Sequence, residues 1–122
     1  MDALLTNLTV YLKDQEKAMH DALRGLVLIQ SGTHNKAGVD RVCHEIYGLL
    51  ESLPLTRRII PQASYGDILI ASVPADEGKR RILLAGHMDT IFPEDSPFCG
   101  WREDEGHLYG PGVLDMKGGL VV

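Results

Sequence analysis

At 122 residues with a net charge of −5, the chain is long enough for one domain with a core, and its scattered Lys and Arg exclude the basic footprint of a nucleic-acid binder. A hydrophobic share of 44% and a charged share of 24% are ordinary for a water-soluble globular protein. No apolar run approaches membrane-spanning length, and the opening "MDALLTNLTVYLKD" lacks the basic start of a secretory signal, so a cytoplasmic protein is expected. There, Cys43 and Cys99, far apart and outside any CxxC pattern, are expected as reduced thiols.

Along the chain, Leu4, Leu5, Leu8, Tyr11 and Leu12 recur at helical spacing, as do Met19, Leu23, Leu26, Val27 and Gln30 after a polar patch. "QSGTHNKAG" (30–38) has loop composition. Val39, Val42, Ile46, Leu49 and Leu50 predict a further amphipathic helix, ended by Pro54. Strands are then predicted at "LTRRII", "DILIASV" and "RILLAG", joined by turns at "PQASYG" and "PADEGK". The last strand lacks alternation, as expected of a central strand covered on both faces. Residues 91–109 read as a long loop, and "GPGVLDMKGGLVV" as a turn entering a helix. Helices followed by a mixed sheet indicate a layered α/β domain. The apolar Leu120, Val121 and Val122 fall where that last helix has barely begun, which reads as the N-terminal portion of a longer protein.

The apolar run from Ile82 to Ala85 leads through Gly86 into His87, Met88 and Asp89. In an extended segment, side chains two apart share a side, so His87 and Asp89 would face together. They fall at the carboxyl end of a predicted strand, where open α/β sheets bind ligands. A metal-ligating His commonly has its other ring N–H held by a carboxylate, which Asp89 can provide. An HxD pair is also common by chance, and by itself decides nothing.

"LYGPGVLDMKGG" (108–119) superficially resembles two phosphate-binding loops, and both fail. The Walker pattern needs Gly before the Lys and Ser or Thr after it, whereas Met116 and Gly118 flank Lys117. The dinucleotide fingerprint needs Gly where Asp115 stands, and a carboxylate there repels pyrophosphate. What remains is a Gly-Pro-Gly turn delivering Asp115 to a helix start, either as a metal-ligating carboxylate or as a cap on its own helix. His20 and His44 read as solvated or packed helical residues, His34 and His107 as loop surface, and Met19, Met88 and Met116 as core fillers. Trp101 either covers a cleft or packs, and no GxSxG-like setting supports a serine or cysteine nucleophile.

Taken together, "LLAGHMDTIFP" and "YGPGVLDMKGG", with Asp115 placed 28 positions after His87, resemble the zinc aminoacylase/carboxypeptidase family. That family includes acetylornithine deacetylase, succinyl-diaminopimelate desuccinylase and glutamate carboxypeptidase. "SPFCGWREDEGHLYGPG" looks most like the glutamate carboxypeptidase branch. The resemblance implies a three-layer α/β/α zinc-exopeptidase domain of which residues 1–122 are the N-terminal portion, the remainder and a lid or dimerisation domain lying beyond Val122. It implies that His87 ligates one metal, that Asp115 bridges two zinc ions (with cobalt or manganese as substitutes), and that Asp89 is the active-site carboxylate that orients and polarises His87. The implied reaction is hydrolysis of an amide or peptide bond beside a carboxylate-bearing residue, in a small peptide or N-acyl amino acid, by a full-length protein able to form a homodimer. The family's Glu general base and its remaining ligands would also follow Val122. The acids Glu94, Asp95, Glu103, Asp104 and Glu105 match no family position and are expected as a solvated loop. The chain by itself is therefore expected to be catalytically inert. Alternatives are an N-acyl-amino-acid deacylase and a non-catalytic binding domain that retains the motifs.

Overall fold

The computed structural model describes residues 2–74 and 78–122, so the middle of the "PADEGK" turn lies outside the described residues. Both predicted helical stripes before residue 30 fall on a single helix, α1 (Asp2–Leu28). The polar patch between them does not interrupt it, because Lys, Asp, Gln and Glu are tolerated within a helix, and Lys17 pairs with Asp21 one turn on at 2.5 Å. Only the end of α1 is buried. Leu26 and Val27 enter the core, while Leu4, Leu5 and Leu8 remain exposed.

Helix α2 (Lys36–Leu49) is capped by Asn35, whose side-chain oxygen accepts from the Gly38 N–H at 3.0 Å. Its stripe of Val39, Val42, Cys43 and Ile46 meets Leu26, and Ile29, Leu69, Met88 and Leu120 close around them. Cys43 and Cys99 are both free thiols, and burial pushes the Cys43 thiol up.

Strands β1 (Thr56–Ile60) and β2 (Ile68–Ser72) form an antiparallel pair with Arg58 opposite Ile70. The hairpin is fastened to α2 at its turn. Lys36 Nζ donates to Asp40 at 2.8 Å and to Asp67 at 2.7 Å, and the Asp67 N–H donates to Asp40 at 2.8 Å. The hydrogen bond from Lys36 holds the Asp67 carboxyl below its usual value. Gly66 permits this approach, since a Cβ there would fall 2.1 Å from Val39 Cγ1.

Two expectations for the second half need correction. The "RILLAG" segment forms no strand pairing, and Ile82, Leu83 and Leu84 are 88–90% exposed. The expected mixed sheet is present as two antiparallel pairs and an isolated parallel bridge between Gly32 and Thr90. The long loop contains the second pair, β3 (Arg102–Asp104) and β4 (His107–Tyr109), joined through Glu105 and Gly106, whose φ values are 46° and 79°. Positive φ at both central residues is the type I′ hairpin geometry. Trp101 packs rather than covering a cleft: its ring sits edge-on to His20 of α1, with centroids 5.4 Å apart, and its indole N–H donates to Glu103 at 2.7 Å. Glu103 also lies 3.1 Å from His20 Nε2, so this acid is not merely solvated. The chain ends in α3 (Lys117–Val121). Among the described residues no helix is long and apolar enough to cross a membrane. The arrangement is α/β, with N-terminal helices followed by small antiparallel sheets.

Candidate metal site at the junction of residues 87–89 and 115

His87 is held from three directions. Its backbone N–H donates to Met116 Sδ at 3.3 Å. Its Nδ1 lies 3.0 Å from the Asp89 carbonyl oxygen and 3.3 Å from Asp89 Oδ1. On the opposite edge of the ring, Nε2 lies 3.0 Å from Asp115 Oδ1. Gly86 allows the segment to approach α3, because a Cβ there would sit 2.8 Å from Met116 Cε and 3.0 Å from Leu120 Cδ2.

The carboxylate of Asp115 arrives from the Gly-Pro-Gly turn. Gly110 is confined, a Cβ there falling 2.6 Å from the Gly100 carbonyl oxygen, and Gly112 adopts φ 83°. The Lys117 N–H then donates to the Gly112 carbonyl at 2.7 Å, and the Asp115–Met116 peptide is cis. The residue at the helix cap is Met116, without a side-chain capping bond, and Asp115 turns its Oδ1 to His87 instead. Asp115 is therefore not a cap on its own helix, and its carboxylate meets the imidazole across 28 residues.

The electrostatics of this cluster favour positive charge on the His87 ring. Burial pushes the His87 imidazole down, but the hydrogen bond to Asp115, the bond to the Asp89 carbonyl and the two carboxylate charges outweigh it, and the net direction is up. With Nδ1–H donating to Asp89, a neutral ring would aim its Nε2 lone pair at a carboxylate oxygen. A proton on Nε2 resolves that conflict, and so does a metal ion. An imidazole nitrogen and a carboxylate oxygen are donors of the kind zinc takes, and ligands about 2.0–2.1 Å from a tetrahedral zinc stand roughly 3.3 Å apart, close to the 3.0 Å observed here. The donors fit in kind and fall short in number, since among the described residues no group of three His, Cys, Asp or Glu side chains is placed to hold a metal ion. Beside the pair lies a cavity of about 330 Å³ lined by Phe92, Phe98, Tyr109 and Leu114 as well as by His87 and Asp115.

Two supporting residues are assigned no role by the sequence. Thr33, in the loop before α2, donates its hydroxyl to Asp89 Oδ2 at 2.5 Å. Lys117 is completely buried and donates through Nζ to the carbonyls of Leu26 and Ile29, each at 2.8 Å. Burial pushes its ammonium down to about 8. Lys117 falls within the "YGPGVLDMKGG" motif, but nothing in the local pattern ties it to the end of α1. The other histidines remain apart from the pair: His20 on α1 by Trp101, His34 beside Tyr65, His44 bonded to the Asp40 carbonyl, and His107 on β4.

Thr90, next to the site, has a testable peculiarity. It is 4% exposed, and among the described residues its hydroxyl has no hydrogen-bond partner. Thr90→Val keeps the branched shape and removes the unsatisfied group, so it should be neutral or stabilise by up to about 1 kcal/mol. Urea denaturation checks this, and a clear loss of stability would show that the hydroxyl has a partner.

Residues 83–122 match the model of peptidase family M20/M25/M40. Carboxypeptidase G2 from a Pseudomonas species is 30% identical over 115 residues, an alignment covering 89% of this chain and 27% of the relative. A succinyl-diaminopimelate desuccinylase from Helicobacter hepaticus is 32% identical over 108 residues, covering 80% of this chain and 27% of the relative. A probable succinyl-diaminopimelate desuccinylase from Staphylococcus aureus is 27% identical over 111 residues, covering 87% and 26% respectively. The chain thus spans about a quarter of the length of these curated relatives. These similarities support peptidase family M20/M25/M40 in general, and they do not select one branch of it.

Proposed function

We propose that residues 1–122 are the N-terminal portion of the catalytic domain of a metal-dependent hydrolase, which cleaves an amide or peptide bond beside a carboxylate-bearing amino acid. The observation that carries this reading is the approach of His87 Nε2 and Asp115 Oδ1 to 3.0 Å, with Asp89 against the other ring nitrogen. In this reading His87 and Asp115 would hold the zinc, Asp115 as the carboxylate available to both ions of a two-zinc site. Asp89 keeps the Nδ1 proton in place, so that Nε2 presents its lone pair to the metal. Bound zinc supplies Lewis-acid polarisation of a carbonyl and a water of lowered pKa. The general base and the remaining ligands are supplied by residues outside this chain.

The similarity to carboxypeptidase G2 supports a carboxypeptidase. The similarity to the desuccinylases supports a second reading, an N-acyl-amino-acid deacylase. The cavity beside the site is lined by no Lys or Arg among the described residues. The group that pairs with a substrate carboxylate therefore lies elsewhere in either reading.

Zinc titration of the chain by calorimetry tests the site itself. Weak binding is expected, with His87→Ala and Asp115→Ala each reducing affinity by at least about tenfold, and with no amide hydrolysis by the zinc-loaded chain. Zinc affinity unchanged in both variants would remove the ground for the reading. Robust hydrolysis by the chain would overturn its incompleteness.

A further inference from the structure

We infer that Thr33 is a positioning residue for the metal site, acting through Asp89; this rests on the proposed roles of His87 and Asp115. The Asp89 carboxylate has two oxygens with separate partners. Oδ2 accepts the Thr33 hydroxyl at 2.5 Å, which leaves Oδ1 directed to His87 Nδ1 at 3.3 Å. Without the first contact the carboxylate is free to rotate about its Cβ–Cγ bond, since among the described residues Thr33 is the hydrogen-bond donor at Oδ2. The Asp89 carbonyl, 3.0 Å from Nδ1, can hold the ring proton but adds no formal charge behind it. Thr33 therefore decides whether the ring proton faces a carboxylate as well as a carbonyl, and so how basic Nε2 is toward a metal.

A hydroxyl can do this only if its own backbone is fixed, and the loop from residue 30 to 35 is tied to both neighbours of Asp89. On one side, the Ser31 hydroxyl donates to the Met88 carbonyl at 3.1 Å. On the other, the Thr90 N–H donates to the Ser31 carbonyl at 2.8 Å, and the Thr33 N–H donates to the Thr90 carbonyl at 3.0 Å. Further along, Gln30 Nε2 donates to the Phe92 carbonyl at 2.9 Å. Within the loop, Asn35 Nδ2 donates to Gln30 Oε1 at 2.5 Å while Asn35 caps α2. The hydroxyl also lies 3.3 Å from the Thr90 carbonyl, but it has one proton, and the shorter, charge-assisted contact to Asp89 takes it.

Thr33→Val removes the hydroxyl and keeps the shape and the backbone bond to Thr90, whereas Thr33→Ser keeps the hydroxyl. In the full 122-residue chain, Thr33→Val should weaken zinc binding by about tenfold. It should also shift the metal-free ring nitrogen resonances of His87 in 15N NMR. Thr33→Ser should restore both. Equal weakening by Val and Ser would overturn the role of the hydroxyl, as would a Val variant that binds zinc like the parent while His87→Ala does not. Zinc binding indifferent to His87 would instead remove the reading on which the inference stands. Circular dichroism of each variant shows whether the fold is kept, and the Ser variant supplies the comparison if Val loosens the loop.

Discussion

Lys117→Ala is expected to lower the unfolding free energy by about 4 kcal/mol, through one buried side chain with two separable jobs. Helix α1 has no basic residue in its last turn, yet the Leu26 carbonyl within that turn and the Ile29 carbonyl just beyond it both receive Lys117 Nζ at 2.8 Å. The charge sits at the negative end of a helix dipole, an arrangement that contributes up to about 2 kcal/mol when partly buried. With its pKa near 8 the ammonium is charged at neutral pH, and burial opposes that charge. The opposition is about 3 kcal/mol, whereas two charge-assisted bonds contribute roughly 1.5–3 kcal/mol each. The bonds and the dipole act against that opposition without cancelling it, since the net direction for the ammonium remains down. Lys117→Met separates the two jobs, since it refills the space of the stem but donates nothing. It should recover about half of the loss, leaving roughly 2 kcal/mol for the orphaned carbonyls. Denaturant unfolding of the three proteins measures this, and a Met variant as stable as the parent would show that the ammonium adds nothing.

Gly38→Ala should be nearly as damaging, against the usual direction for a helix. Glycine inside a helix is about 1 kcal/mol worse than alanine, so at an open position the exchange stabilises. Gly25 of α1 is such a position, with nothing within 4 Å of an added Cβ. At Gly38 of α2 the same carbon would lie 1.9 Å from the Gln30 carbonyl oxygen and 2.7 Å from Asn35 Nδ2. A backbone oxygen cannot swing aside, so either the loop or the helix start has to move. Overpacking of this kind costs about 1–3 kcal/mol, and displacement of the Asn35 cap adds about 1 kcal/mol. A net loss of about 3 kcal/mol is expected, with a gain of up to about 1 kcal/mol for Gly25→Ala as its counterpart. Thermal unfolding distinguishes them, and a stabilised Gly38→Ala protein would mean that α2 does not meet the loop this closely.

What the sequence disclosed follows from the range of each interaction. Helical periodicity located α2 and both halves of α1, because that signal is local. The hairpin at β3 and β4 escaped it because its turn places Glu105 at positive φ, where Asn or Asp beside Gly is the usual marker. The run at Ile82–Leu84 was read as a central strand from its apolarity, but apolarity expresses only a tendency to be covered. Pairing requires a neighbour, and none of the described strands lies beside it. At the site, residue type and spacing singled out His87, Asp89 and Asp115, and the fold gathers them. The contacts of Thr33 and of Lys117 were not legible, although Lys117 lies in the "YGPGVLDMKGG" motif, since they span 56 residues and 88 to 91 residues of chain. No local pattern encodes a hydroxyl or an ammonium aimed that far along the sequence.

The exposure of Ile82, Leu83 and Leu84 also bears on precision. Ligand constellations work within tolerances of about half an ångström. His87 stands at the end of this run, fastened through Met116, Asp89 and Asp115 but by no ladder of backbone bonds upstream. Its amplitude of thermal excursion is thus limited from the front and the sides and not from behind. Whatever buries those three side chains will also stiffen the tether of His87, so covering the apolar run and sharpening the imidazole's aim are one physical event.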